Sequence, residues 1–272
     1  MGARPRALTI CLASSGAMLW GCSGGVVTGV NNGDGESVLA LLSPPSPEAM
    51  VQLAADETNP DNRQRGILLL ANSPFGGEAV YMRFYESAIN DDDARVRAAS
   101  ARALGYHGLS SHAETLGERL RSDESDIVRL ECARALQRLH NSAVVDTLIG
   151  SLNPQAERNA DVREASAIAL GQYRDTRVVQ SLIGALQDRD LRVNVASAGS
   201  LTLLTGQELG TDPSLWLDWT RASGDWFAGA QRYTYPVFRR KARWWEYVVP
   251  WAYPPNEVAS EPIGMPDAQG AG

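Results

Sequence analysis

In the middle of the chain, apolar and small residues recur with a helical period around five arginines. An apolar residue precedes four of the five arginines, and alanine stands six positions after every one of them. Because a helix turns once in about 3.6 residues, these offsets share one face. We therefore predict five helices whose small residues allow close packing. They are built on Arg65, Arg97, Arg129, Arg163 and Arg192, with Ala71, Ala103, Ala135, Ala169 and Ala198.

The starts of these predicted helices carry a second recurring signal. Four positions before each arginine stands a residue whose side chain can cap a helix N-terminus by bonding the free amides of the first turn. We therefore expect each helix to begin next to one of these residues. They are Asp61, Asp93, Ser125, Asn159 and Asp188.

Each arginine-containing helix is followed by a second amphipathic segment. Residues 143–152 and 177–186 match each other almost residue for residue, which predicts a repeated second helix. Asp212 and Pro213 suit a further helix start, since proline is favoured at the first helical position. Trp216 and Trp219 would share one face of that helix, so we expect them to seal the end of a stack.

The repeated line reads Val-Arg-x-x-small-x-x-Ala-Leu-Gly and is clearest in residues 96–105 and 162–171. This line resembles the HEAT repeat, particularly the short bacterial form named after phycobilisome lyases. The resemblance covers residues 47–222 and implies an all-α fold, an α-solenoid of about five helix pairs. Its first and last units are weaker, as is typical of terminal repeats whose outer faces meet water. A partial sixth helix is predicted at residues 46–55.

The N-terminus has the pattern of an export signal. Residues 1–21 combine two arginines with an apolar stretch that is too short to span a membrane stably. The stretch ends in Leu19-Trp20-Gly21-Cys22, which resembles a bacterial lipobox, although Trp20 departs from the usual small residue. The resemblance implies that Cys22 is acylated and anchors the protein in the cell envelope; an ordinary secretory signal is the alternative. Residues 22–45 then form a flexible, glycine-rich tether.

Composition narrows the possible functions. The chain has 32 acidic against 25 basic residues and a net charge of −7, which argues against a general nucleic-acid binder. Three cysteines and three histidines leave little material for a disulfide scaffold or a metal site. We find no catalytic motif and expect no catalytic residue, metal, cofactor or small-molecule substrate. The recurring arginines could bind anions, but we favour pairing with acidic residues in the turns.

The C-terminal tail, residues 223–272, differs from the repeats. It is rich in aromatic residues and prolines, and we expect it to be irregular. It could fold back on the solenoid, or it could contact a partner or a membrane surface through a basic and aromatic cluster. That cluster comprises Arg239, Arg240, Lys241, Arg243, Trp244 and Trp245.

These features together predict four segments: signal peptide 1–21, tether 22–45, solenoid 46–222 and tail 223–272. We expect a lipid-anchored, non-enzymatic scaffold of the cell envelope that binds another protein, because stacked repeats expose long binding surfaces. A purely structural envelope protein is one alternative. A bilin-lyase-like enzyme, or a subunit of one, is the other, and it is implied only by the name of the repeat.

Overall fold

Helices stacked in pairs make up most of the described structure. The computed structural model describes residues 45–237 and 258–266. The chain divides into two units, Met1–Pro44 and Pro45–Gly272, and the described residues all belong to the second. Their helices are α1 (Pro47–Ala54), α2 (Pro60–Asn72), α3 (Ala79–Ala88), α4 (Ala94–His107), α5 (His112–Ser122), α6 (Asp126–Leu136), α7 (Val145–Ser151), α8 (Ala160–Leu170), α9 (Thr176–Ala185), α10 (Leu191–Thr205) and α11 (Pro213–Ala222). A 3-10 turn, Ser142–Val144, leads into α7.

The helices follow the predicted alternation of first and second helices. A single leading helix, α1, packs on α2, and five pairs follow: α2/α3, α4/α5, α6/α7, α8/α9 and α10/α11. The first helix of each pair packs against the first helix of the next pair. The predicted all-α solenoid of about five helix pairs is therefore confirmed.

The first helices lie close together because small residues line their contacts. Ala101, Ala133 and Ala167 occupy equivalent positions and are completely buried. A Cβ atom added to Gly105 would lie 2.7 Å from the Cα atom of Ala135 in the next first helix. The second helices contact one another much less. The first helices therefore form the more closely packed of the two rows.

The observed helix starts show that the predicted alignment of the repeats is wrong in the first and the last unit. Asp93 and Asn159 cap α4 and α8, each accepting a hydrogen bond from an amide two residues on. However, α2 is capped by Asn59 rather than Asp61, and α10 by Asp190 rather than Asp188. Arg97 stands four residues after its cap, and in the first and last units that position is not held by the predicted Arg65 and Arg192. It is held by Arg63 in α2 and by Asn194 in α10.

The corrected register changes which residues form the packed face. Leu191, which the prediction placed on that face, is 68% exposed, whereas Val193 is completely buried. Ala71 and Ala198 are buried, like the three central alanines of the prediction. In α2 and α10, however, the positions equivalent to the three central alanines are held by Leu69 and Ser200.

The tail is more regular than predicted. Its described part contains two short strands, β1 (Tyr235–Val237) and β2 (Val258–Ser260), which pair antiparallel with Tyr235 opposite Ser260. Several predictions fall outside the described residues: the signal peptide, nearly all of the tether, Cys22, and the basic and aromatic cluster at 239–245. Among the helices that are described, none is both long and apolar enough to cross a membrane.

Candidate functional site

One edge of the solenoid, formed by the loops between successive pairs, carries a row of ion pairs. We call it the ladder edge. An arginine in each of four consecutive first helices binds, through two nitrogen atoms, a carboxylate that precedes the next first helix. The shortest pair contacts are Arg63–Asp91 at 2.7 Å, Arg97–Asp123 at 2.8 Å, Arg129–Glu157 at 2.6 Å and Arg163–Asp188 at 2.7 Å.

Each member of the ladder edge is also tied to the backbone. The Nη1 atom of Arg97 donates to the carbonyls of Asp91 and Asp92, 2.9 and 3.0 Å away, just before its own helix. The Asp123 carboxylate accepts the amide of Ser125 at 3.0 Å. The other three arginines and carboxylates repeat these bonds. The guanidinium groups are therefore occupied within the chain, which fits pairing with loop acids rather than anion binding.

The electrostatics of the ladder edge follow from this pairing. Hydrogen bonds from Arg63 and Arg163 lower the pKa of Asp91 and Asp188 respectively. Burial raises the pKa of Asp123, but the bonds from Arg97 and from the Ser125 amide, with the nearby positive charge, outweigh burial and leave that pKa lowered. These carboxylates are thus held in their charged form.

Two of the predicted arginines do not belong to the ladder edge. Arg65 is exposed, and Arg63 takes its place. Arg192 is exposed and binds the carboxylates of Asp190 and Asp161 at the surface. Asn194 occupies the last ladder position, and its Oδ1 atom is buried with no hydrogen-bond partner among the described residues. The ladder therefore ends in a neutral residue.

The opposite edge, formed by the turns inside the pairs, is covered by the tail. We call it the turn edge. The Gln231 amide donates to the Leu203 carbonyl at the end of α10, at 2.7 Å. Further along the tail, Ile263 exchanges two backbone hydrogen bonds of 2.8 Å with the Arg138 carbonyl and the His140 amide, beyond α6. The tail therefore runs back along the array, from the last pair towards the middle.

Aromatic side chains hold the tail against the turn edge. The guanidinium carbon of Arg138 lies 4.5 Å from the Tyr106 ring centroid and 5.1 Å from that of Tyr235 in the tail. The His140 and Tyr173 rings stack at 4.7 Å. Burial lowers the pKa of His140 and raises that of Tyr173 to about 12. These rings are therefore neutral near pH 7 and serve packing.

The second helices leave a groove that is a candidate binding site. It lies between α5 and α7, has a volume of about 710 Å³, and is bounded by the loop that contains Ala156, Glu157 and Arg158. This loop, residues 152–159, is longer than the other loops between pairs and contains a turn. Small and apolar residues line part of the groove: Leu120, Ala143, Gly150 and Ala156.

Two arginines of the groove make no ion pair with another described residue. Its carboxylates are already paired, Asp123 with Arg97, Glu157 with Arg129 and Asp146 with Arg177. Arg121 donates to the Thr147 hydroxyl at 3.0 Å. Within the described residues, neither Arg121 nor Arg158 has a carboxylate at ion-pair distance. The repeat pattern in the sequence did not indicate Arg158 as part of a site.

Other candidate chemistry has a structural explanation. Cys132 is completely buried, and burial raises the pKa of its thiol, so the reactive thiolate is suppressed. The described residues contain no group of three His, Cys, Asp or Glu that could hold a metal ion. Trp216 is fully buried, donates to the Gly210 carbonyl at 2.8 Å, and meets Trp219 edge to face. This pair thus packs at the C-terminal end of the stack.

Comparison with known proteins agrees with this architecture. The chain matches the family described as HEAT repeats over residues 47–137 and 113–202, more than half of its 272 residues. A comparison with curated proteins found no match. Among solved structures, YibA of Escherichia coli is similar at 21% identity and a TM-score of 0.47. The match covers 58% of this chain and 59% of YibA, so it spans less than two thirds of that protein. On the strength of the family match, the chain belongs to the HEAT-repeat family.

Proposed function

We propose that the protein is a non-enzymatic scaffold that binds another protein in the groove between α5 and α7. HEAT repeats commonly mediate protein–protein interaction, and HEAT-repeat families are usually non-catalytic. The observation that carries the proposal is that Arg121 and Arg158, which line a groove of about 710 Å³, make no ion pair with another described residue.

The chemistry of the groove favours an extended, acidic segment of the partner. Arginine binds carboxylates through two parallel hydrogen bonds, so Arg121 and Arg158 suit Asp or Glu side chains. The apolar residues between them can bury a short aliphatic side chain. Because the resident carboxylates are already paired, the incoming acid would meet little competition within the groove.

Site-specific photocrosslinking in intact cells tests this proposal. A Cβ atom at Gly150 would meet no atom within 4 Å, so a photoreactive residue fits there without disturbing the helix. Gly184 is the equivalent position in the next second helix, and it is equally open. It provides a matched control outside the groove. We expect one dominant crosslinked protein at position 150 and much less of it at position 184.

Charge reversal separates specific binding from accidental proximity. The double variant Arg121→Glu, Arg158→Glu should lose the crosslink, whereas Arg221→Glu, an exposed arginine of α11, should keep it. If only abundant neighbours crosslink at both positions, or if charge reversal leaves the pattern unchanged, the groove is not the binding site.

We also propose that the scaffold is held at a membrane of the cell envelope through acylated Cys22. The support is the lipobox-like sequence that ends at this residue, together with the glycine-rich segment after it. A lipoprotein anchor carries more than one acyl chain, and such an anchor is stable because each buried methylene contributes about 0.8 kcal/mol. Cys22→Ser should therefore move the protein from the membrane fraction to the soluble fraction. Unchanged membrane association would refute the anchor.

A further inference from the structure

The two ends of the solenoid differ in the character of their exposed side chains. At the N-terminal end, α1 presents polar residues such as Glu48 and Gln52 to solvent. At the C-terminal end, the last pair exposes four large apolar residues, half of all those exposed in the described structure. They are Leu191, Val195, Leu215 and Leu217. Terminal repeats normally need a polar outer face for solubility. The C-terminal end departs from that rule.

One exposed residue of α10, Val195, stands at a position that is buried or half-buried in the earlier first helices. Counted from the helix caps, Val195 is equivalent to Ala98 in α4, and Ala198 is equivalent to Ala101, Ala133 and Ala167. Ala98 is only 6% exposed, in a helix that packs against the next first helix, whereas Val195 is 56% exposed. The flank of α10 therefore continues the helix-to-helix interface of the array, and no further first helix of the described chain covers it.

This flank is complementary to itself. Large residues, Leu191 and Val195, occupy its N-terminal half, and small residues, Ala198, Gly199 and Thr202, occupy its C-terminal half. A Cβ atom at Gly199 would meet no atom within 4 Å, so space is open there. If two copies of α10 pack antiparallel about a two-fold axis, the large half of each copy faces the small half of the other.

We infer that two copies of this chain associate end to end through α10, with the two-fold axis passing between Val195 and Ala198. In that arrangement Leu191 lies opposite Thr202 of the second copy, and Val195 lies opposite Ala198. The two solenoids are thereby joined end to end, with the ladder edge of one copy beside the turn edge of the other. A single helix flank gives an interface at the small end of the usual range, below about 1,200 Å², so the dimer is reversible. The groove between α5 and α7 takes no part in it.

Sedimentation velocity of the full chain over a wide concentration range tests the dimer. The wild-type chain should show a concentration-dependent shift from monomer to dimer. Val195→Glu should raise the dissociation constant by about tenfold or more, because it buries an unpaired charge at the centre of the interface. Gly199→Glu should have a similar effect from the opposite half. Val80→Glu, a 53% exposed valine in α3, is the matched control and should change nothing.

A mixing experiment tests the two-fold symmetry itself. The Val195→Glu and Val195→Lys variants should each be monomeric alone and should associate when mixed, since opposite charges then meet across the axis. A wild-type chain that stays monomeric at every concentration would overturn the inference. So would equal dissociation by Val80→Glu. A third outcome would also exclude the dimer: the wild-type chain is monomeric, and Val195→Glu lowers its melting temperature. That result would show that a segment of the same chain covers the flank.

Discussion

The ladder edge and the turn edge hold the same helices together by different means. On the ladder edge, every ion pair joins one pair of helices to the next, and the same bonds recur in four places. On the turn edge, the tail returns from the C-terminal side and binds turns of several pairs in succession. The ladder edge is local and periodic, whereas the turn edge depends on one segment that has no counterpart elsewhere in the array.

The largest expected effect comes from breaking the ladder edge at its most buried pair. Arg97→Met should lower the free energy of unfolding by about 3–5 kcal/mol, because it leaves the Asp123 carboxylate buried without its main partner. Arg192→Met removes an arginine whose ion pairs are exposed and should cost less than about 1 kcal/mol. Urea unfolding followed by circular dichroism measures both. If both variants lose the same free energy of unfolding, the buried ion pairs of the ladder edge contribute no more to stability than exposed ion pairs do.

Acid should affect the two edges in different pH ranges. The pKa of His140 is lowered on folding, so its contribution is complete above about pH 6.5, the unfolded value, and is lost as pH falls through the folded value. Asp91, Asp123 and Asp188 also have lowered pKa values, so their contribution is complete above about pH 4 and is lost as pH falls further.

Hydrogen exchange can separate these two ranges. After correction for intrinsic rates, the amides of His140 and Ile263, whose hydrogen bonds join the tail to the turn edge, should lose protection first, below about pH 6.5. The free energy of global unfolding should fall mainly below about pH 4. If both quantities change together, the two edges are not independent. His140→Gln is the control. It should abolish the loss of amide protection below about pH 6.5 and keep the fall in global stability below about pH 4.

A smaller effect is expected from a single glycine where the tail meets the turns. Gly264 has a φ of 87°, and an added Cβ atom would lie 2.7 Å from the Cβ of Ser110. Gly264→Ala should therefore weaken docking of the tail by about 1–3 kcal/mol. Exchange at the Ile263 amide should accelerate while helix content stays constant. Gly224→Ala is the control, because a Cβ there meets no atom within 4 Å. If Gly264→Ala unfolds the whole protein, the helices of the solenoid are not stably folded without the docked tail.

The sequence predicted the central repeats well because their signals are periodic. Val96, Val128 and Val162 are all completely buried, as the helical line implied. In the first and last units the predicted alignment was wrong, because Arg65 and Arg192 also have a capping-type residue four positions earlier. Which arginine joins the ladder depends on a distant partner, such as Asp91 for Arg63, and local pattern carries no such information.

The tail and the groove were harder to predict for the same physical reason. Pairing of Ile263 with the backbone around Leu139 joins residues far apart in the chain, and no periodicity marks either of them. The groove is bounded by the long loop after α7, and the length of that loop does not follow from the repeat pattern. Arg158 therefore gave no signal in the sequence beyond its charge.

The return of the tail has a consequence for how the array comes apart. Repeat arrays with contacts only between neighbours can fray from either end, one unit at a time. Here the last pair and the middle of the array are joined through the tail, so C-terminal fraying must first release contacts made two pairs away. We expect the C-terminal pairs to unfold as one cooperative block. This closure also requires contacts between distant parts of the chain, so the tail should dock late in folding, after the helices have stacked.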